Sequence, residues 1–408
     1  MAAIESKQSR LYRMGVSKLA LVGALTTITT SANAVMPLIA QQEITEKLGG
    51  AGEYQLFLEA VTIIAIPFLL TSPLILKGIR NKRVCQVGMI LIAIVNFLLF
   101  STDLEWNPLI LRAILGVSYG ITLPMGQFMM AEAEIEERDR VTQFTMMLNL
   151  IAAGLCIVPF IAISLLWAGN GDSKFIFLFL SITAAIVASM TERLISKRYK
   201  IQAYSLASIE LPRQHLGVAI GDTITIMITR SIYALVLVWL SEIIHDFDTL
   251  QITSLFFTLP FVAWGFVAIP WVKKLGSRQS YLLFLVLPLL TLAVGLTTGT
   301  ASSLPILLIV VALFSIPEAF TPGQLVSQWP SLKGRQFGNL LSMMLMTICL
   351  SIGPMLLGWI TWLSQHLPIQ AVPPEMQRSV WLLLLASPVY LIPLRLLWTR
   401  NVAPQLKQ

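Results

Sequence analysis

About twelve apolar runs of 17 residues or more divide this chain, at roughly 19–40, 56–76, 84–100, 108–130, 141–167, 175–191, 216–240, 252–272, 281–299, 303–326, 337–363 and 380–398. Each is long enough to cross a hydrocarbon core of about 30 Å as a helix. In lipid every backbone N–H and C=O must be satisfied internally, so such runs fold as helices. Only 12% of the 408 residues are charged, against about 25% in soluble domains. The expected fold is therefore an all-α integral membrane protein, with the lipid bilayer as its first partner.

The net charge of +7 follows topology and indicates no nucleic acid. With the N-terminus inside, Lys47, Lys174 and Arg378 are the only basic residues in outer loops, and Arg112 and Arg230 lie within spans. The rest of the 28 lysines and arginines face inside. This is the positive-inside pattern, which expects a multi-pass protein of the inner (plasma) membrane with both termini cytoplasmic. Lys7 to Lys18 leads into a full-length span carrying Pro37, which reads as a first transmembrane helix despite the cleavage-like Ser31-Ala32-Asn33-Ala34. Cys85, Cys156 and Cys349 fall in or beside apolar spans without metal-ligand spacing, as buried thiols do.

The two halves are related. At an offset of 197, Pro73, Lys77, Pro108, Gly126 and Gln127 fall on Pro270, Lys274, Pro305, Gly323 and Gln324. At 195, Arg140 and Pro159 fall on Arg335 and Pro354. A duplicated six-helix unit is expected, with bundles at 1–192 and 215–408 joined by a basic cytoplasmic linker, 193–214. Parallel six-helix halves are the layout of transporters that rock around a midplane site.

Specific strings point further. AVMPLIAQQ (34–42) and LRAILGVSYG (111–120) resemble the end of the first helix and the fourth-helix arginine–glycine motif of the major facilitator superfamily. The basic loop LKGIRNKR (76–83) and its counterpart VKKLGSRQ (272–279) resemble that family's inner loops but lack its aspartate. Gly154 and Pro159 remain of the fifth-helix antiporter motif, without its glycine–proline pair. The resemblance covers nearly the whole chain, with the nearest look to twelve-helix proton antiporters of drugs or metabolites. It implies twelve transmembrane helices in two pseudo-symmetric bundles, no cofactor and a monomer. It also implies that four helices line the cavity, on which Asn33, Tyr119, Gln127, Tyr233 and Gln324 lie as candidate substrate contacts.

Ionisable residues inside spans are functional candidates by default. Arg112 costs at least about 2.5–3.5 kcal/mol to insert, and Gly116 and Gly120 would let a neighbouring helix close over its stem. By helix rise, Glu59 shares its level near the outer side, where the two could pair as a gate or as a fixed ion pair, or Glu59 could reach interfacial water. Asp222 and Glu318 meet at one level in the inner half, with Arg230 about 12 Å higher along its helix than Asp222. Two carboxylates in an apolar setting cannot both ionise cheaply, so Asp222 and Glu318, with Glu59, are the candidate proton carriers. Arg230 and Arg112 are the candidate anchors for an anionic or hydrogen-bond-accepting substrate. A permanent Asp222–Arg230–Glu318 network that fixes helix packing is the alternative.

Other function classes find little support. No glycine-rich phosphate loop, His-Glu-x-x-His or Cys-x-x-Cys is present. His215, His245 and His366 are far apart in sequence, at loops or helix ends, so no metal site is indicated. An enzyme would gather its acids and bases at one membrane face, and a channel would not need them at the midplane. The expected function is secondary active transport by alternating access, as proton-coupled export of a small organic metabolite or chelator. Proton-coupled import of a small organic anion or nutrient is the alternative.

Overall fold

The computed structural model describes residues 18–75, 81–132, 154 and 157–195, then 362–370 and scattered positions between 249 and 385. The expected linker and the expected helices of the second bundle lie largely or wholly outside these residues.

Among the described residues from 18 to 195, seven helices follow in order: α1 (Lys18–Ile39), α2 (Gln41–Leu48), α3 (Ala51–Ile75), α4 (Asn81–Ser101), α5 (Pro108–Glu132), α6 (Ile157–Ala168) and α7 (Lys174–Leu194). Among the described residues, five helices are long and apolar enough to cross a membrane: α1, α3, α4, α5 and α7. Each covers the corresponding apolar run to within a few residues.

The short α2 lies in what periodicity treats as a connecting loop. Its sequence, QQEITEKL, buries only Ile44, and it ends because Gly49 takes φ +91°. Gly49 N–H reaches the Glu46 carbonyl and Gly50 N–H the Thr45 carbonyl, the Schellman pattern that glycine permits.

α5 is the hub, packing on α1, α3 and α4, while α4 also runs along α7. α5 and α3 approach closely. A Cβ on Gly116 would lie 2.7 Å from the Val61 carbonyl oxygen, and one on Gly120 would lie 2.5 Å from Phe68 Cβ. The two glycines thus let a neighbouring backbone close over this stretch, as their spacing predicts.

α1 is buried almost all round although it carries the polar string TTITTSAN. Its hydroxyls solve this locally: Thr27 donates to the Gly23 carbonyl and Thr30 to the Thr26 carbonyl, the back-bonding that polar helices use. Across to α4, Cys85 Sγ lies 3.7 Å from Thr26 Oγ1, with the thiol fully buried. Cys156 and Cys349 lie outside the described residues. On the opposite side of α4 and α7 the side chains Val87, Ile90, Ile94, Phe97, Ile182 and Ile186 are exposed. An apolar stripe of this kind faces lipid.

Ion pairs close both ends of the bundle. At one end Lys47 Nζ meets Glu43 Oε1 at 2.7 Å, Asp103 Oδ1 at 2.6 Å and Asp172 Oδ1 at 3.1 Å. These acids come from three separate segments, and Glu43 also accepts a hydrogen bond from Ser173 N–H. Burial alone would lower the Lys47 pKa, but hydrogen bonds to Asp103, Glu43 and Asp172 outweigh it and hold the ammonium above the usual lysine range. Burial would raise Asp172, yet its bonds with Lys174 and Lys47 keep its carboxyl below the usual aspartate range. At the opposite end Lys82 Nζ reaches the Glu192 carbonyl at 2.6 Å and its carboxylate at 3.1 Å, joining the start of α4 to the end of α7.

Candidate functional site: a buried arginine among four helices

Arg112 is the largest fully buried side chain among the described residues, at 0% exposure. It enters from the second turn of α5, which Pro108 opens. Its Nε donates to the Phe57 carbonyl at 3.1 Å, and its Nη1 donates to the Asn33 carbonyl at 3.1 Å. The guanidinium carbon stands 4.6 Å from the centre of the Phe57 ring. That ring meets Phe177 of α7 edge-on at 6.3 Å.

The Asn33 carbonyl is available for a reason written in α1. A helical carbonyl at position i−4 normally accepts from the N–H of residue i, and proline has none. Residue 37 is a proline inside α1, so Asn33 loses its intrahelical donor and Arg112 replaces it. Tyr54 adds a second tie at this break, its hydroxyl donating to the Pro37 carbonyl at 3.2 Å.

Magnitudes favour retention of the charge. Two charge-assisted hydrogen bonds contribute about 3–6 kcal/mol, and a desolvated cation–π contact about 2 kcal/mol. Together they exceed the insertion cost of about 2.5–3.5 kcal/mol. Arg112 Nη2 has no hydrogen-bond partner among the described residues.

The polar set continues into α4. Asn96 Nδ2 donates to Asn33 Oδ1 at 2.7 Å and to the Ile92 carbonyl at 2.9 Å, while Asn33 Nδ2 donates to the Thr29 carbonyl at 2.8 Å. Asn33 and Asn96 are 2% and 0% exposed, and Asn96 Oδ1 has no partner among the described residues. Asn33 thus presents its carbonyl to α5 and its side chain to α4, which makes it the node of the site.

Of the residues singled out from sequence, Arg112 and Asn33 come together directly. Tyr119 is buried on the same helix as Arg112. Gln127 lies on α5, its side chain outside the described set. Glu59 is half-buried on α3. At this depth the Phe57 face of α3 meets the arginine, through its carbonyl and its ring. Residues two apart on a helix are turned by about 200°, so Glu59 stands on another face at nearly the same level. Asp222, Arg230, Tyr233, Glu318 and Gln324 lie outside the described residues.

Sequence reading passed over Asn96, Phe57 and the role of Pro37. Asn96 could have been found as one of two amides, with Gln86, in the apolar run 84–100. Pro37 could have been found by counting four residues back to Asn33. Nothing in the sequence marks Phe57, whose part depends on the rotation of α3.

No family model matches the chain, and no curated protein matches its sequence. Among solved structures it is similar to the E. coli fucose:proton symporter FucP, in an N162A form. The TM-score is 0.59 at 13% identity, covering 92% of this chain and 97% of that one. Such identity speaks for fold alone. Motifs and fold agree: the chain is a multi-pass membrane protein with the fold of the major facilitator superfamily.

Proposed function

We propose that the chain is a secondary active transporter working by alternating access, exporting a small organic metabolite or chelator in exchange for protons. The observation that supports this best is the buried, hydrogen-bonded Arg112 within a fold shared with a proton-coupled transporter. An ionisable side chain inside a membrane span is a functional candidate by default, and these contacts hold the Arg112 charge in place there. The reading includes twelve helices in two bundles, 1–192 and 215–408, about a cytoplasmic linker at 193–214. It sets the protein in the inner membrane with both termini cytoplasmic.

In this scheme Asp222 and Glu318, with Glu59, carry the proton, and Arg230 and Arg112 attract an anionic or accepting group on the substrate. Asn33, Tyr119, Gln127, Tyr233 and Gln324 complete the contacts. Substrate and proton compete for one arginine–carboxylate set, and that competition couples their fluxes. A second reading, proton-coupled import of a small organic anion or nutrient, draws support from the neighbour, which is named as a symporter.

The test compares small molecules inside and outside cells with and without the gene, repeated with Asp222→Asn and Glu318→Gln. A compound that accumulates inside the deletion strain and vanishes from its medium supports export. A nutrient left unused outside supports import. Normal transport by both variants would remove the two acids from the coupling role.

A further inference from the structure

Away from the arginine site, a groove of about 420 Å³ runs between α4 and α7 on the face whose side chains are exposed to lipid. Small residues create it: Ala185 and Ala188 of α7 leave the space that Ile90 and Ile94 of α4 wall on the other side. The polar side chains Gln86 and Ser189 stand nearer one end, followed by Glu192 and Arg193. A membrane-facing channel that is apolar along its length and polar at one end has the polarity of a single lipid.

Charge at the polar end decides which lipid. Glu192 is already engaged by Lys82 at 3.1 Å, so its negative charge is balanced within the protein. Arg193 lines the groove and is exposed. Arg83 lies three residues before Gln86 and seven before Ile90, which sets it on the same face of α4, and it is exposed as well. Ala185, Ser189 and Arg193 recur at four-residue steps on α7 and share one face there. The helices run antiparallel, with Lys82 at the start of α4 paired to Glu192 at the end of α7, so both guanidiniums come to the same end. Guanidinium forks suit phosphate oxygens, and the local balance is net positive.

We propose that the α4–α7 groove is a binding site for an anionic phospholipid. Its acyl chain lies along Ile90, Ile94, Ala185 and Ala188, and its phosphate is held by Arg193 and Arg83. Gln86 and Ser189 face the ester region, where they supply hydrogen bonds that an acyl chain alone would not need.

The test is native mass spectrometry of the full chain titrated with phosphatidylglycerol or phosphatidylcholine of identical acyl chains. One or more phosphatidylglycerol molecules should be retained with clear preference over phosphatidylcholine. Arg83→Gln with Arg193→Gln should weaken that retention on the order of 30-fold, about five-fold for each guanidinium. Ala185→Phe fills the groove, leaves the charges in place and should also abolish the retained species. Arg83, Ala185 and Arg193 are all exposed, and thermal unfolding of each variant checks that it is folded. Equal retention of the two lipids would overturn the head-group assignment. Loss in the arginine variant but full retention in Ala185→Phe would reduce the effect to diffuse surface attraction and overturn the site.

Discussion

Pro37 and Arg112 act as a pair. The proline deprives the Asn33 carbonyl of its helical donor, and the arginine supplies one from another helix. Their substitutions should therefore not add. In purified protein, Pro37→Ala with Arg112→Leu is expected to destabilise less than the sum of the single changes, by about 0.5–3 kcal/mol in thermal unfolding. Additive effects would mean that the carbonyl contact contributes nothing of its own. The same neighbourhood marks how far sequence reading reaches. Counting rise along a helix placed Glu59 and Arg112 at one level, and the Phe57 contact lies within about 3 Å of it. Rotation about the axis was not legible, because α3 is apolar on most of its faces and no stripe fixes which one turns inward. The rotation is what sets the Phe57 carbonyl and ring against Arg112.

Whole helices were easier to read than their faces. Lipid requires unbroken apolar runs, so α1, α3, α4, α5 and α7 stand in the sequence nearly at their observed ends. α2 was missed because it is eight residues long and mostly polar, below any threshold tuned to a bilayer. The Gly116 and Gly120 spacing carried its meaning directly, since four residues set both on one face. Gly116→Ala should cost about 1–3 kcal/mol, the usual penalty for overpacking, because the new methyl meets the Val61 carbonyl of α3. Gly52→Ala, where a Cβ would meet nothing within 4 Å, is the control and should leave thermal unfolding unchanged or slightly improved.

Across the molecule as a whole, the Lys47 cluster binds together the ends of three separate segments. Asp172 sits below its ordinary pKa, so its contribution is complete above the unfolded value of about 3.9 and is lost as pH falls through the lower folded one. Lys47 is raised, so its contribution is complete below about 10.4 and is lost as pH rises through the folded value. Melting temperature should therefore fall on the acid side in the parent protein and fall less steeply in Asp172→Asn, which begins lower at neutral pH. Lys47→Met should flatten the alkaline limb as well. Equal acid slopes in parent and Asp172→Asn would show that the cluster does not hold the fold.

The cluster also has a consequence in time. Lys47 and Asp172 are 125 residues apart in the chain, a stretch that a ribosome making 5–20 residues per second completes in about 6–25 s. Of its three described partners, the ammonium has Glu43 and, later, Asp103 within reach through that interval. Its third partner arrives just ahead of α7, so the contact that closes this end of the bundle is also the last to become possible. A nascent chain halted before Asp172 would carry every earlier helix and still lack its final fastening.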